Sequence, residues 1–200
     1  LLLWVQKLMP ERSLVGTSAS GGWDYLYRRD TFATLEGRPM AKKRNFTRRY
    51  HVANPNATFV PLSDETMQLL KAFLAEWYEA EGEMTKSLLE ERAAIETALE
   101  HREALNLSGG LLMSEGRVDG FTYGTLVAKD IFAVHIEKAR RDVTGAYPAL
   151  SSAFAKSLPE DVVFLNREED IGIPGLRKAK LAWMPCGMIQ KGVVEIVPAN

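Results

Sequence analysis

The chain has 200 residues, with 25 Lys and Arg against 26 Asp and Glu and a formal net charge of −1. That length supports one domain with its own core, and near-neutrality excludes a global field drawing the molecule onto nucleic acid or an anionic membrane, so any such attraction is local. Cys186 is the only cysteine, which excludes an internal disulfide and fits a reducing compartment; no CxxC or HExxH spacing appears, and His51, His101 and His135 are scattered, which argues against zinc.

The opening Leu1-Leu2-Leu3-Trp4-Val5-Gln6-Lys7-Leu8 lacks a methionine, and Lys7 arrives too soon for a transmembrane span or a signal peptide. Residues 1–22 read as the tail of a preceding domain or a linker, ending in the flexible Ser18-Ala19-Ser20-Gly21-Gly22. Asp24 is placed to cap a helix through Tyr25, Leu26, Tyr27, Phe32 and Leu35, which Gly37 stops. Lys42, Lys43, Arg44, Arg48 and Arg49 then put five cations within eight residues. The predicted helix over 42–51 ends before the turn Asn54-Pro55-Asn56. Helical spacing sets Lys42, Asn45 and Arg49 on one face, Arg44 and Arg48 on another, and Phe46 and Tyr50 inward.

Thr58-Phe59-Val60 reads as a short strand. Ser63 caps a helix with apolar positions Met67, Leu70, Phe73, Leu74 and Trp77, and a second, acidic on its outer face, runs from about Thr85 to Ala104. The period then changes from helical to alternating. Residues 107–113, 117–128 and 131–138 read as successive antiparallel strands, with tight turns at Glu115-Gly116 and Lys129-Asp130. Residues 146–158 are helical. The apolar run Val162-Val163-Phe164-Leu165 reads as a buried strand delivering Asn166, Arg167, Glu168, Glu169 and Asp170 to a sheet edge. Gly172 and Gly175 supply turn freedom, and Pro174 suits the start of a helix carrying Arg177, Lys178 and Lys180. A strand region at 188–197 follows. The order specifies an α+β layer fold. Carboxylates and cations this close together read either as a site for a polar ligand or as a solvated loop with surface ion pairs.

Order and motifs together resemble a GNAT-type acyltransferase domain, and more closely the bacterial family related to the C-terminal domain of phosphatidylglycerol lysyltransferase, many of whose members have no established activity. Three stretches carry the resemblance: Leu35-Glu36-Gly37-Arg38 with Lys42-Lys43-Arg44-Asn45; His135-Ile136-Glu137-Lys138-Ala139 with Gly145-Ala146-Tyr147; and residues 166–180 with Pro185 after them. The resemblance implies a central mixed, mostly antiparallel sheet flanked by helices over residues 23–200, the second half of a tandem architecture. It also implies that strands 120–128 and 131–138 splay apart to admit the donor. The loop Arg140-Arg141-Asp142-Val143-Thr144-Gly145-Ala146 stands where coenzyme A diphosphate meets a helix start. It departs from the usual pattern, because Arg141 stands four residues before Gly145; relatives using aminoacyl-tRNA also dispense with that pattern.

The function so implied is acyl or aminoacyl transfer from a coenzyme A thioester or an aminoacyl-tRNA to an amine or hydroxyl acceptor, a small molecule or a lipid headgroup. Alternation puts His135 and Glu137 on one face, with Phe132, Val134 and Ile136 on the other. Glu137, with His135, is the candidate base or amine-orienting group, or the two are a self-satisfied pair. Glu168 joins them as a candidate catalytic carboxylate. Asn166, Arg167 and Asp170 are candidates for holding the donor's amino group, or Asp170 caps the following helix and pairs with Arg177. Arg177 and Lys180, one turn apart, could meet a phosphate or carboxylate, and Tyr147 could donate a proton to a leaving group or simply pack. The polar loop 166–170 is expected to line the main cleft with His135 and Glu137, close to Arg177. The rival reading is a non-catalytic module in which Lys42, Lys43, Arg44, Arg48 and Arg49 hold RNA or anionic lipid. The implied location is cytoplasmic, peripheral to the inner face of the membrane.

Overall fold

Glu115 and Gly116 both take positive φ, 51° and 81°, which a two-residue turn between antiparallel strands demands. Around that turn a computed structural model, which describes residues 12–17 and 22–198, places a long hairpin. The expectations for residues 1–11 and for the link at 18–21 lie outside the described residues. In chain order the elements are β1 (Arg12–Thr17), β2 (Asp24–Arg28), α1 (Arg29–Thr34), α2 (Ala41–Ala53), β3 (Thr58–Pro61), α3 (Asp64–Glu81), α4 (Lys86–Glu100), β4 (Ser108–Ser114), β5 (Arg117–Ala128), β6 (Ile131–Ala139), α5 (Ala146–Ser157), β7 (Phe164–Asn166), α6 (Pro174–Leu181), β8 (Gly187–Ile189) and β9 (Val193–Pro198).

The chain divides into two units, residues 27–166 and residues 1–26 with 167–200. In the first, β3, β4, β5 and β6 pair antiparallel in that order and β7 adds to β6 in parallel. Leu111 and Leu112 point to opposite faces, as neighbours in a strand must. Leu111 joins Leu70, Phe73, Trp77, Ile95, Phe121 and Tyr123 under α3 and α4, whereas Leu112 joins Tyr50, Ala146, Ala149 and Leu150 under α2 and α5. Each of the large side chains contributes roughly 1.5–3 kcal/mol by leaving water. Ser63 starts α3 with its backbone N–H donating to Thr66 Oγ1 at 2.9 Å. In the second unit β1 pairs antiparallel with β9, and the first part of β2 with β8.

Two expectations are corrected. Residues 24–28 form a strand, not the first turns of a helix, and the helix begins only at Arg29. The reason is alternation: Tyr25 and Tyr27 are buried and Arg28 is exposed, and aromatic residues suit a pleated, half-buried surface. Asp24 meets Lys191 Nζ at 2.6 Å instead of capping a helix. The second correction concerns the splayed strands. β5 and β6 stay paired from Gly120↔Ala139 to Ala128↔Ile131. The ladder that stops short is the parallel one: β7 pairs with Ile131, Phe132 and Ala133 of β6, and β6 runs on six residues further to Ala139.

Candidate functional site

The stretch of β6 beyond Ala133 carries two of the candidate side chains of the 27–166 unit. Tyr123 pairs with Ile136 and Gly124 with Val134, so His135 is one extra residue in β6, a β-bulge. The bulge resets the alternation. His135 Nε2 lies 2.8 Å from Thr125 Oγ1 and its ring 6.5 Å from that of Tyr123, on the face covered by α4, where it lines a cavity of about 770 Å³ with Ile95, Ala98, Leu105 and Leu126. Glu137 faces the other way and takes a 2.8 Å hydrogen bond from Ser151 Oγ of α5. The expected common face for His135 and Glu137 is therefore corrected: the extra residue puts them on opposite sides of the sheet.

Around Glu137 the start of α5 supplies the neighbours. Ser151 Oγ also lies 3.1 Å from the Tyr147 carbonyl, one turn back. Burial pushes the Tyr147 phenol up, while hydrogen bonds from the Ala139 backbone and the Arg141 guanidinium oppose that shift, so the hydroxyl stays protonated at neutral pH. Arg141 pairs with Glu81 at 2.9 Å and lies 5.6 Å over the Trp77 ring. Gly145, at φ 85°, starts α5 so close to α2 that an added Cβ would sit 2.2 Å from the Phe46 carbonyl oxygen. Asn166 ends β7 opposite Ala133 and is buried.

On α2, Tyr50 is fully buried and donates to Asp119 Oδ2 at 2.7 Å, while Arg117 Nε meets the other oxygen at 2.7 Å. Lys42, Arg48 and Arg49 are exposed and Lys43 is half-buried. Arg44 turns to its own chain, donating to the Leu35 and Gly37 carbonyls at 2.5 and 3.2 Å.

The remaining candidates belong to the other unit. Asp170 is completely buried and both of its oxygens are engaged: Oδ2 by Tyr25 Oη at 2.6 Å and Arg177 Nε at 2.7 Å, Oδ1 by Arg177 Nη2 at 3.1 Å and the Gly172 N–H at 2.9 Å. The bidentate Arg177, followed by Tyr25, holds this carboxyl well below the usual range, and the same contact raises Tyr25. The loop so pinned is strained, with positive φ at Glu168 (56°) and Ile171 (44°). Lys180 Nζ donates to the Arg167 carbonyl, and Arg167 lies 5.7 Å over the Trp183 ring. Burial first, then the Arg167 charge, lowers Lys180 to about 8 against the opposing carboxylates Glu168, Glu169 and Asp24. Lys191 bridges Asp24 and Glu169. Tyr25, Lys191 and Ser151, which contact Asp170, Glu169 and Glu137, were not legible in the sequence; the spacing of Tyr147 and Ser151, one helical turn apart, was the one available signal.

Among the described residues no group of His, Cys, Asp or Glu is arranged to hold a metal ion, and no helix is long and apolar enough to cross a membrane. The sequence matches the family described as "Phosphatidylglycerol lysyltransferase, C-terminal" over residues 12–191. A conserved protein of unknown function from Bacteroides thetaiotaomicron is 34% identical, with a TM-score of 0.87 over 98% of this chain and 66% of that one. L-PGS from Bacillus licheniformis is 16% identical, with a TM-score of 0.63 over 94% of this chain and 62% of that one. The C-terminal domain of a candidate lysylphosphatidylglycerol synthetase from Agrobacterium fabrum is 13% identical, with a TM-score of 0.64 over 98% of this chain and 64% of that one. The chain thus spans less than two thirds of each of these three. No curated protein matches. The last two likenesses bear on fold alone and make the α+β sheet a GNAT-like one.

Proposed function

The chain belongs to the family of the phosphatidylglycerol lysyltransferase C-terminal domain, and from that premise we propose that it transfers an aminoacyl group from an activated ester donor to a hydroxyl or amine acceptor on a lipid headgroup. A coenzyme A thioester is the alternative donor. The observation that carries the reading is Glu137, hydrogen-bonded to Ser151 on the run of β6 that outlasts β7. An acceptor hydroxyl or amine laid along that edge gives its proton to the Glu137 carboxylate as it attacks the ester carbonyl. Ser151 holds the carboxylate in one rotamer. Tyr147, a neutral phenol, donates to the leaving oxygen. The donor is already activated, so positioning supplies most of the rest. In the other unit, Asp170 holds Arg177 in one orientation, which supports reading Arg177, with Glu168 and Lys180, as groups for a phosphate or carboxylate. The work so described belongs to a cytoplasmic protein at the inner membrane face.

The test uses the full-length protein with mixed aminoacyl-tRNAs labelled in the amino acid, acyl coenzyme A in parallel, and anionic phospholipid vesicles. Label should appear in the lipid extract, and Glu137→Gln should lower its rate by about 10²–10⁴-fold, the range for loss of a general base. An unlabelled extract with every donor, or a variant as fast as the wild type, refutes the reading.

A further inference from the structure

The longest stretch of this protein without an acidic residue includes a helix with three outward-facing cations. Residues 37–63 hold six Lys and Arg and no Asp or Glu, leaving the remainder of the chain at −7. Elsewhere Arg92, Arg102, Arg117, Arg140, Arg141 and Arg177 each meet a carboxylate. On α2, Lys42, Arg48 and Arg49 meet none among the described residues. Arg48 reaches only Asn45 Oδ1, at 3.5 Å, and Arg49 lies 6.0 Å over the Phe46 ring.

We propose that α2 is a docking surface for the phosphate backbone of an RNA, gripped by Lys42, Arg48 and Arg49. Three features select RNA over a membrane. The aromatic residues of the helix are turned inward, Tyr50 fully buried on Asp119 and Phe46 half-buried. Val52 is its single exposed large apolar side chain, whereas a helix lying in a lipid interface needs a continuous apolar face. The cations from Lys42 to Arg49 span about 10 Å of helix at about 1.5 Å per residue, a reach suited to successive phosphates rather than to one headgroup. Arg44 is outside the surface, because its guanidinium closes the Leu35 and Gly37 carbonyls. The position is apt: α2 packs on the first turn of α5 at Gly145, the helix that carries Tyr147 and Ser151. The inference deepens the proposed transfer by naming where a nucleic-acid donor is held, and rests on that reading for its purpose only.

Binding is read without transfer. Fluorescence anisotropy with uncharged tRNA from about 50 to 200 mM salt compares the wild type with Lys42→Ala/Arg48→Ala/Arg49→Ala and with Arg44→Ala. The triple variant should bind at least about tenfold more weakly, and its log K against log salt should flatten by about 2, three contacts at about 0.7 each. Arg44→Ala should melt lower yet keep the wild-type slope. Circular dichroism confirms that the triple variant is folded, as its exposed side chains require. No tRNA binding by the wild type, an unchanged slope in the triple variant, or loss of binding to anionic vesicles in place of tRNA would each overturn the assignment. Failure of transfer with tRNA binding intact would refute the proposed chemistry alone.

Discussion

Lys180 has the most consequential environment of any single residue. Its folded value of about 8 lies below its ordinary 10.5, so between these values the unfolded chain holds a proton that the folded one has released. Stability from this group therefore rises with pH across that window, the direction expected when the unfolded state binds more protons. Urea midpoints of the wild type should gain on those of Lys180→Met between pH 7.5 and 9.5; parallel curves would show that the ammonium is not desolvated. Tyr50 is the second residue whose change is diagnostic. Removing its hydroxyl leaves a completely buried Asp119 one donor short, and Tyr50→Phe should cost about 1–3 kcal/mol in chemical denaturation. A neutral substitution would mean that Arg117 alone satisfies the carboxylate. Asp170 is a structural hub as well as a candidate site residue: Asp170→Asn disturbs a fully buried carboxylate whose two oxygens order Arg177 and Tyr25, and should lower the melting temperature measurably, whereas an unchanged value would show that the network is dispensable.

Among the elements, the junction of α2 and α5 is the tightest. Gly145→Ala adds a Cβ 2.2 Å from a carbonyl oxygen at φ 85°; the backbone conformation by itself carries about 1–3 kcal/mol for a non-glycine residue. The variant should unfold earlier by at least that much and bind tRNA more weakly, and wild-type stability would show that α2 yields without loss. Elements of this kind were legible where local rules agree. The Glu115-Gly116 turn and the alternation of β5 announced the hairpin, the cation run announced α2, and Ser63 announced α3. The readings that failed had competing signals. Asp24 satisfied the rule for a helix cap while Tyr25 and Tyr27 obeyed a strand period, and the pairing of Asp24 with Lys191, far off in sequence, decided between them. The bulge at His135 has no local signature, so the faces assigned to His135 and Glu137 slipped. The cleft expected to join residues 166–170 with His135 and Glu137 remains an expectation of the sequence, since these residues are divided between two units, while the Tyr25–Asp170–Arg177 network needed contacts across 145 residues.

At the scale of the whole molecule, charge is the organising quantity. A chain of net charge −1 has no general attraction to polyanions, so the wild type should be retained on heparin at low salt only through α2. The Lys42→Ala/Arg48→Ala/Arg49→Ala variant should pass unretained, and retention of both would place the binding elsewhere. The six Lys and Arg of residues 37–63, a stretch with no Asp or Glu, also make α2 a local positive pole. A polyanion approaching within a Debye length, about 8 Å at physiological salt, exerts a torque that turns that pole forward before any contact forms. The molecule thus arrives already aimed, and added salt slows its capture of a partner more than it hastens the release.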